Sequence, residues 1–181
     1  MRRLIVLGLF AVPAVFVLDR WLGVRRGGNA TPPAPLEMLV VIDADIDTTW
    51  GVVADIALQT EWMREMKTVS VTTPGLVGVG TRAEATVRIL GISAHDPVEI
   101  TAFDPPTRYA IRHAGLFSGS GVITLESGAD GTTTIVRWAE TLVPPLLPEL
   151  GALVQAPILR AIFQADLHRL KRLVETGSAD A

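Results

Sequence analysis

Between Thr68 and Val143 the chain alternates extended runs with turn residues, and beyond Pro148 it changes abruptly to a helical period. Thr73-Pro74-Gly75, Gly78-Val79-Gly80, Gly91, Asp104-Pro105-Pro106, Gly115 and Gly128-Ala129-Asp130-Gly131 divide the first stretch into about six strands, most simply joined as an antiparallel meander. From about Pro148 to Thr176, Leu159, Ile162, Phe163, Leu167, Leu170, Leu173 and Val174 share one helical face. Arg160, Gln164, His168, Lys171 and Arg172 lie opposite. A sheet and a helix that each have one side to bury must pack on one another, which makes the fold class α+β.

Two shorter elements precede the meander. Residues 36–45, β-branched-rich and bounded by Pro and acids, read as the first strand. Asp47 is the expected N-cap of a helix carrying Trp50, Val53 and Ile56, and a second short helix is expected around Thr60 to Glu65. A sheet of this many strands twists and coils, so it cannot lie flush along a straight helix, and an apolar groove is expected beneath the last helix. Pro144, Pro145, Pro148 and Pro157 suggest a segmented or kinked lid there.

The N-terminal segment has a different character. Met1-Arg2-Arg3 leads into an apolar run from Leu4 to Leu18, about 22 Å as a helix, or about 31 Å if counted through Val24, against a hydrocarbon core of about 30 Å. Residues 1–26 are therefore expected to be a transmembrane helix acting as an uncleaved single-pass anchor, or a signal segment. Arginines flank the run on both sides, so no side of the membrane is assigned. Residues 27–35, rich in Gly and Pro, read as a linker; residues 36–176 form the globular domain, and residues 177–181 a disordered tail.

Charge follows the same division. Residues 1–35 carry five Arg against one acid, whereas residues 36–181 carry 11 basic and 18 acidic groups. So acidic a body does not suit nucleic acid as a partner, because it cannot displace phosphate counterions. With no cysteine the chain has no disulfide, thiolate metal site or Cys nucleophile.

Strand parity selects candidate groove residues. Thr134, Val136, Trp138, Glu140 and Leu142 share a face, as do Tyr109, Ile111 and His113. Glu140 is read either as a wet strand end or as pointing inward. His113 is either a hydrogen-bonded wall residue or an acid–base group. Asp166 lies on the apolar stripe of the last helix, so its carboxylate is either paired with Arg169 or another cation at the stripe edge or projects into the groove, where an unpartnered position would raise its pKa. His95, His113 and His168 lack metal-site spacing, and His95 with Glu99 has no third ligand. Gly75 to Gly80 misses the dinucleotide glycine spacing, and no Ser-His-acid triad can be assembled. No metal or cofactor is expected.

Val41-Ile42-Asp43-Ala44-Asp45-Ile46-Asp47-Thr48-Thr49-Trp50, then Asp55 and Trp62, Gly78-Val79-Gly80-Thr81-Arg82, the stretch from Glu99 to Arg108, and Gly131-Thr132-Thr133-Thr134 ahead of Trp138 carry a resemblance. Over about residues 38–176 the chain resembles the polyketide cyclase/dehydrase and lipid-transport family of the START-like (SRPBCC) superfamily. The resemblance implies a helix-grip fold, a curved antiparallel sheet wrapped around a long C-terminal helix, holding a hydrophobic ligand between the two. It supplies no universal catalytic motif. The expected ligand-lining set is Trp62, Tyr109, His113, Trp138, Glu140, Phe163 and Asp166. The leading expectation is a membrane-tethered binder or carrier of a lipid or polyketide-like molecule. Two alternatives stand beside it: a cyclase or dehydratase using Glu140, His113 or Asp166, and a partner-binding module whose groove is filled by side chains.

Overall fold

A computed structural model describes residues 15–25, 33–89, 91–144 and 148–179. A helix over residues 15–25 (α1) precedes β1 (Leu36–Ile42), α2 (Ile46–Val53) and α3 (Gln59–Trp62). The six strands of the meander follow: β2 (Met66–Val71), β3 (Arg82–Ile89), β4 (Ile92–Asp104), β5 (Arg108–Ala114), β6 (Ser118–Ser127) and β7 (Thr134–Val143). The chain closes with α4 (Pro148–Thr176). One seven-stranded sheet has the order β1-β7-β6-β5-β4-β3-β2, with each pairing antiparallel. Register shifts in β2 and β4 add local bend to the curved sheet.

Alternation decides the core. Met38, Val40 and Ile42 of β1, Val136 and Trp138 of β7, and Ile123 and Leu125 of β6 are buried against Leu159, Phe163, Leu167 and Leu170 of α4. The cations of β3, β5 and β7, namely Arg82, Arg88, Arg108, Arg112 and Arg137, are all exposed. Here the α+β reading and the six-strand meander agree with the structure.

The C-terminal half of α4 grips the edge strand. Gln164 Nε2 donates to Leu39 O at 2.9 Å, Lys171 Nζ donates to Val41 O at 2.8 Å, and Glu175 accepts from the Asp43 N–H at 2.6 Å. These residues lie seven and four positions apart, about two turns and one turn, so one helix side satisfies the open edge of β1 that would otherwise template further pairing. Toward its N-terminus α4 leaves Leu153, Val154 and Ile158 exposed.

Some expectations need correction. The α2 N-cap is Asp45, not Asp47: the Asp45 carboxylate accepts from Thr48 N–H and Oγ1, both at 2.8 Å, while Asp47 sits in the first turn. The helix α4 runs through Pro157 as one element rather than as separate pieces. Residues 177–179 fold back instead of hanging free, with Ala179 buried and its carbonyl accepting from Arg172 Nε at 3.0 Å.

The expected transmembrane helix is not found: among the described residues no helix is long and apolar enough to cross a membrane. Residues 1–14 of that expectation, and residues 26–32 around the linker, lie outside the described residues. In α1, Asp19 is buried, and its Oδ1 accepts the backbone N–H groups of Glu149 and Leu150 at 3.0 and 2.7 Å. Those donors belong to the first turn of α4, where no intrahelical acceptor exists, and a carboxylate also suits the positive end of the helix dipole.

Candidate functional site: an apolar cavity with acidic walls

The space between sheet and helix is not filled. A cavity of about 110 Å³ lies under Phe163 and Asp166 of α4, against the inner faces of β3 to β7. A neighbouring one of about 220 Å³ extends toward Gln155 and Ile158. Val87, Ile89, Ala94, Leu116, Phe117 and Leu142 line both, which makes them two lobes of one apolar space.

Six of the seven expected residues line it: Tyr109, His113, Trp138, Glu140, Phe163 and Asp166. Trp62 does not. The single turn of α3 sends Trp62 into the core, fully buried and edge-on to Trp138 with ring centroids 5.9 Å apart, while Gln59 and Met63 face the cavity. Trp138 also lies against Phe163, centroids 4.9 Å apart, so α4 is fastened to β7 by an aromatic contact.

Glu140 is not a wet strand end; it is 2% exposed. Trp138 Nε1 donates to its Oε2 at 2.9 Å, and His113 Nε2 lies 3.1 Å from its Oε1. On the other side of the ring, Nδ1 is 2.7 Å from Asp96 Oδ2. His113 is on β5 and Glu140 on β7, two strands apart, and they meet because β6 places Gly121 between them. In the register Gly121 pairs with both Ile111 and Glu140, and a Cβ on it would stand 2.5 Å from Glu140 Oε2. Burial alone would lower the His113 pKa, but the hydrogen bond to Asp96 and the close carboxylates of Asp96 and Glu140 prevail and raise it to about 10. The imidazole is therefore a cation at neutral pH, held between two carboxylates.

A second acidic cluster faces the same space. Asp166 is 2% exposed, and its Oδ1 accepts the Arg64 backbone N–H at 3.1 Å. Burial pushes its pKa up to about 8, with a hydrogen bond and like charge from Glu65 adding to the rise, while the Arg64 N–H and the charge of Arg169 oppose it. Asp166 thus combines the two readings of the sequence: it lines the cavity, and Arg169 acts on it. At neutral pH it holds a proton. Burial likewise raises the Tyr109 phenol, which has Gln59 as a hydrogen-bond partner.

Asp96 and Glu65 are cavity-lining residues that sequence reasoning missed. Asp96 shares parity with the inward Val98 and Ile100, a signal open to detection; Glu65 sits at the α3–β2 junction, where no period applies. On the outer face, His95 pairs with Glu84, and Glu99 with Arg82 and Arg112. Among the described residues no group of three or more acidic or His side chains is arranged to hold a metal ion.

The family model described as polyketide cyclase/dehydrase and lipid transport matches residues 34–175. The chain belongs to this family. Among solved structures, TTHA0849 from Thermus thermophilus is similar with a TM-score of 0.65 and 16% identity, covering 80% of this chain and 99% of that one. DR_A0006 from Deinococcus radiodurans has a TM-score of 0.60 and 22% identity over 79% of this chain and 98% of that one. The Zhui aromatase/cyclase from a Streptomyces species has a TM-score of 0.60 and 18% identity over 79% and 96%. At these identities the likeness is one of fold, the helix-grip arrangement of the SRPBCC superfamily. None of the curated proteins matches the chain.

Proposed function

We propose that this member of the family binds or carries a hydrophobic small molecule, lipid or polyketide-like, in the cavity beneath α4. The observation that carries the reading is an apolar space, left open between sheet and helix, with polar groups confined to a few points of its wall. Burying about 400 Å² of apolar ligand surface at about 25 cal/mol/Å² supplies roughly 10 kcal/mol before the costs of association, ample for micromolar retention. Displacement of the fluorescent apolar probe N-phenyl-1-naphthylamine by a lipid extract tests it. Saturable, displaceable binding is expected; a chain that never takes up the probe contradicts the reading.

The proposal includes a membrane tether through residues 1–26, supported by what gathers at one end of the sheet. The turns after β3 and β5, the end of β7 and the start of α4 lie together there, with α1 docked by Asp19. At this end Phe16, Val17, Trp21, Leu116, Leu153 and Val154 are exposed apolar residues, and Arg20 and Arg25 are exposed cations. Apolar surface with basic residues suits an anionic bilayer. Because the chain lacks cysteine, single cysteines can carry an environment-sensitive dye. Labels at Val154 and Leu116 are expected to shift to the blue on anionic vesicles and one at Leu76, on the β2–β3 turn, to stay unchanged; unchanged emission at the first two contradicts bilayer docking.

A second reading, cyclase- or dehydratase-type acid–base catalysis, is favoured by the 3.1 Å contact of His113 with Glu140 at the cavity wall. It requires turnover of a poly-β-keto substrate that Glu140→Gln abolishes while leaving probe binding intact.

A further inference from the structure

We infer that the cavity selects amphiphiles whose polar end is uncharged or cationic and carries hydrogen-bond donors, and that it rejects anionic amphiphiles such as carboxylates. This rests on the reading of the cavity as a hydrophobic-ligand site and narrows the ligand class.

Charge on the cavity wall is one-sided. Four carboxyl groups line the space, those of Glu65, Asp96, Glu140 and Asp166, and among the described lining residues there is no Lys or Arg. Alternation along the strands explains this. On β5, Tyr109, Ile111 and His113 point in and Arg108 and Arg112 point out; on β3, Arg82 and Arg88 occupy the outward row. The sheet places its arginines on the convex side and two of its acids, Asp96 and Glu140, on the concave one.

His95, also at the wall, turns its exposed ring out to Glu84, whereas His113 points inward and is already committed. Its two ring nitrogens face Asp96 and Glu140 at 2.7 and 3.1 Å, so two carboxylates surround one imidazolium. Asp166, its pKa raised to about 8 by burial and by the neighbouring Glu65, adds a protonated carboxyl at neutral pH, with Arg169 acting on it from outside the lining. In a low-dielectric space this gathering of carboxyl groups opposes a ligand anion, which in addition loses its hydration and finds no lining Lys or Arg to replace it.

The unsatisfied atoms point the same way. Asp96 Oδ1 and Glu140 Oε1 are buried without a hydrogen-bond donor in good geometry. Both belong to residues lining the cavity, and both are acceptors. His113 Nε2, beside Glu140 Oε1, is within ion-pairing distance but off the line of a good hydrogen bond. A hydroxyl or ammonium group supplies the donors these oxygens lack; a carboxylate or phosphate brings only more acceptors. Leaving buried groups unpaired for the wrong ligand is how such sites discriminate.

The experiment uses the full chain and N-phenyl-1-naphthylamine, displaced at neutral pH by decanol, decylamine or decanoate, which share one chain length and differ in head group. Decanol and decylamine are expected to displace the probe at concentrations at least about tenfold below decanoate. In Glu140→Gln, or in Asp96→Asn should the first variant not fold, the gap between decanol and decanoate is expected to narrow several-fold. Equal potency of decanoate and decanol in the unaltered chain overturns the selectivity while leaving ligand binding standing. Failure of the probe to bind overturns the binding reading and the selectivity with it. An unchanged gap in the variants contradicts the assignment to these carboxylates.

Discussion

Gly121 stands opposite Glu140 in the β6–β7 register, and the missing side chain of the first makes room for the carboxylate of the second. A methyl group there would meet Oε2 at 2.5 Å and Ile111 Cγ1 at 3.4 Å. Gly121→Ala is therefore expected to push Glu140 off Trp138 Nε1 and His113, with a loss of about 1–3 kcal/mol from disturbed buried polar contacts. Chemical denaturation measures the loss, and the His113 imidazole shifts report whether the ion pair has opened.

His113 is expected to titrate far from an ordinary histidine. Because its folded pKa, about 10, lies above the ordinary value of 6.5, its stabilising contribution is complete below pH about 6.5 and disappears as pH rises through about 10. Imidazole NMR shifts should show a protonated ring at pH about 8, where a free histidine is neutral. Replacing the ring by Phe leaves two buried carboxylates without their cation and is expected to destabilise by about 3–5 kcal/mol.

Asp166 gives a pH dependence at lower pH. Its folded pKa of about 8 exceeds the ordinary value of 3.8, so its contribution is complete below pH about 4 and declines as pH rises through about 8. Asp166→Asn retains an acceptor for the Arg64 N–H but cannot ionise. Stability curves of the two chains are expected to converge at acidic pH, with the variant relatively more stable above pH about 8. Parallel curves across that range would contradict the assignment.

Asp19 ties α1 to α4. Asp19→Ala leaves the Glu149 and Leu150 N–H groups without their acceptor, at an expected cost of about 1 kcal/mol. Hydrogen exchange should quicken at those amides while the Leu167–Leu170 region stays protected.

The inward faces are legible in the sequence wherever a period runs long enough. Strand parity brings Tyr109, His113, Trp138 and Glu140 to one cavity, and helical period brings Phe163 and Asp166. Partnerships across strands are not legible. The meeting of His113 with Glu140 depends on β6 lying between their strands and on a glycine at the crossing point, neither of which local sequence reveals. Trp62 escapes such reasoning because α3 is only one turn long, and its direction is set by packing on Trp138. Asp45 and Asp47 are both competent caps by composition; the backbone trajectory decides between them.

The central claim, that the space beneath α4 holds an apolar molecule, is tested most directly by native mass spectrometry of the full chain equilibrated with N-phenyl-1-naphthylamine, beside an Ile111→Trp variant that adds bulk to the cavity wall. One bound probe per unaltered chain, lost from a folded variant, is the predicted result. A chain that takes up no probe, or a folded variant that binds it equally well, would contradict the account.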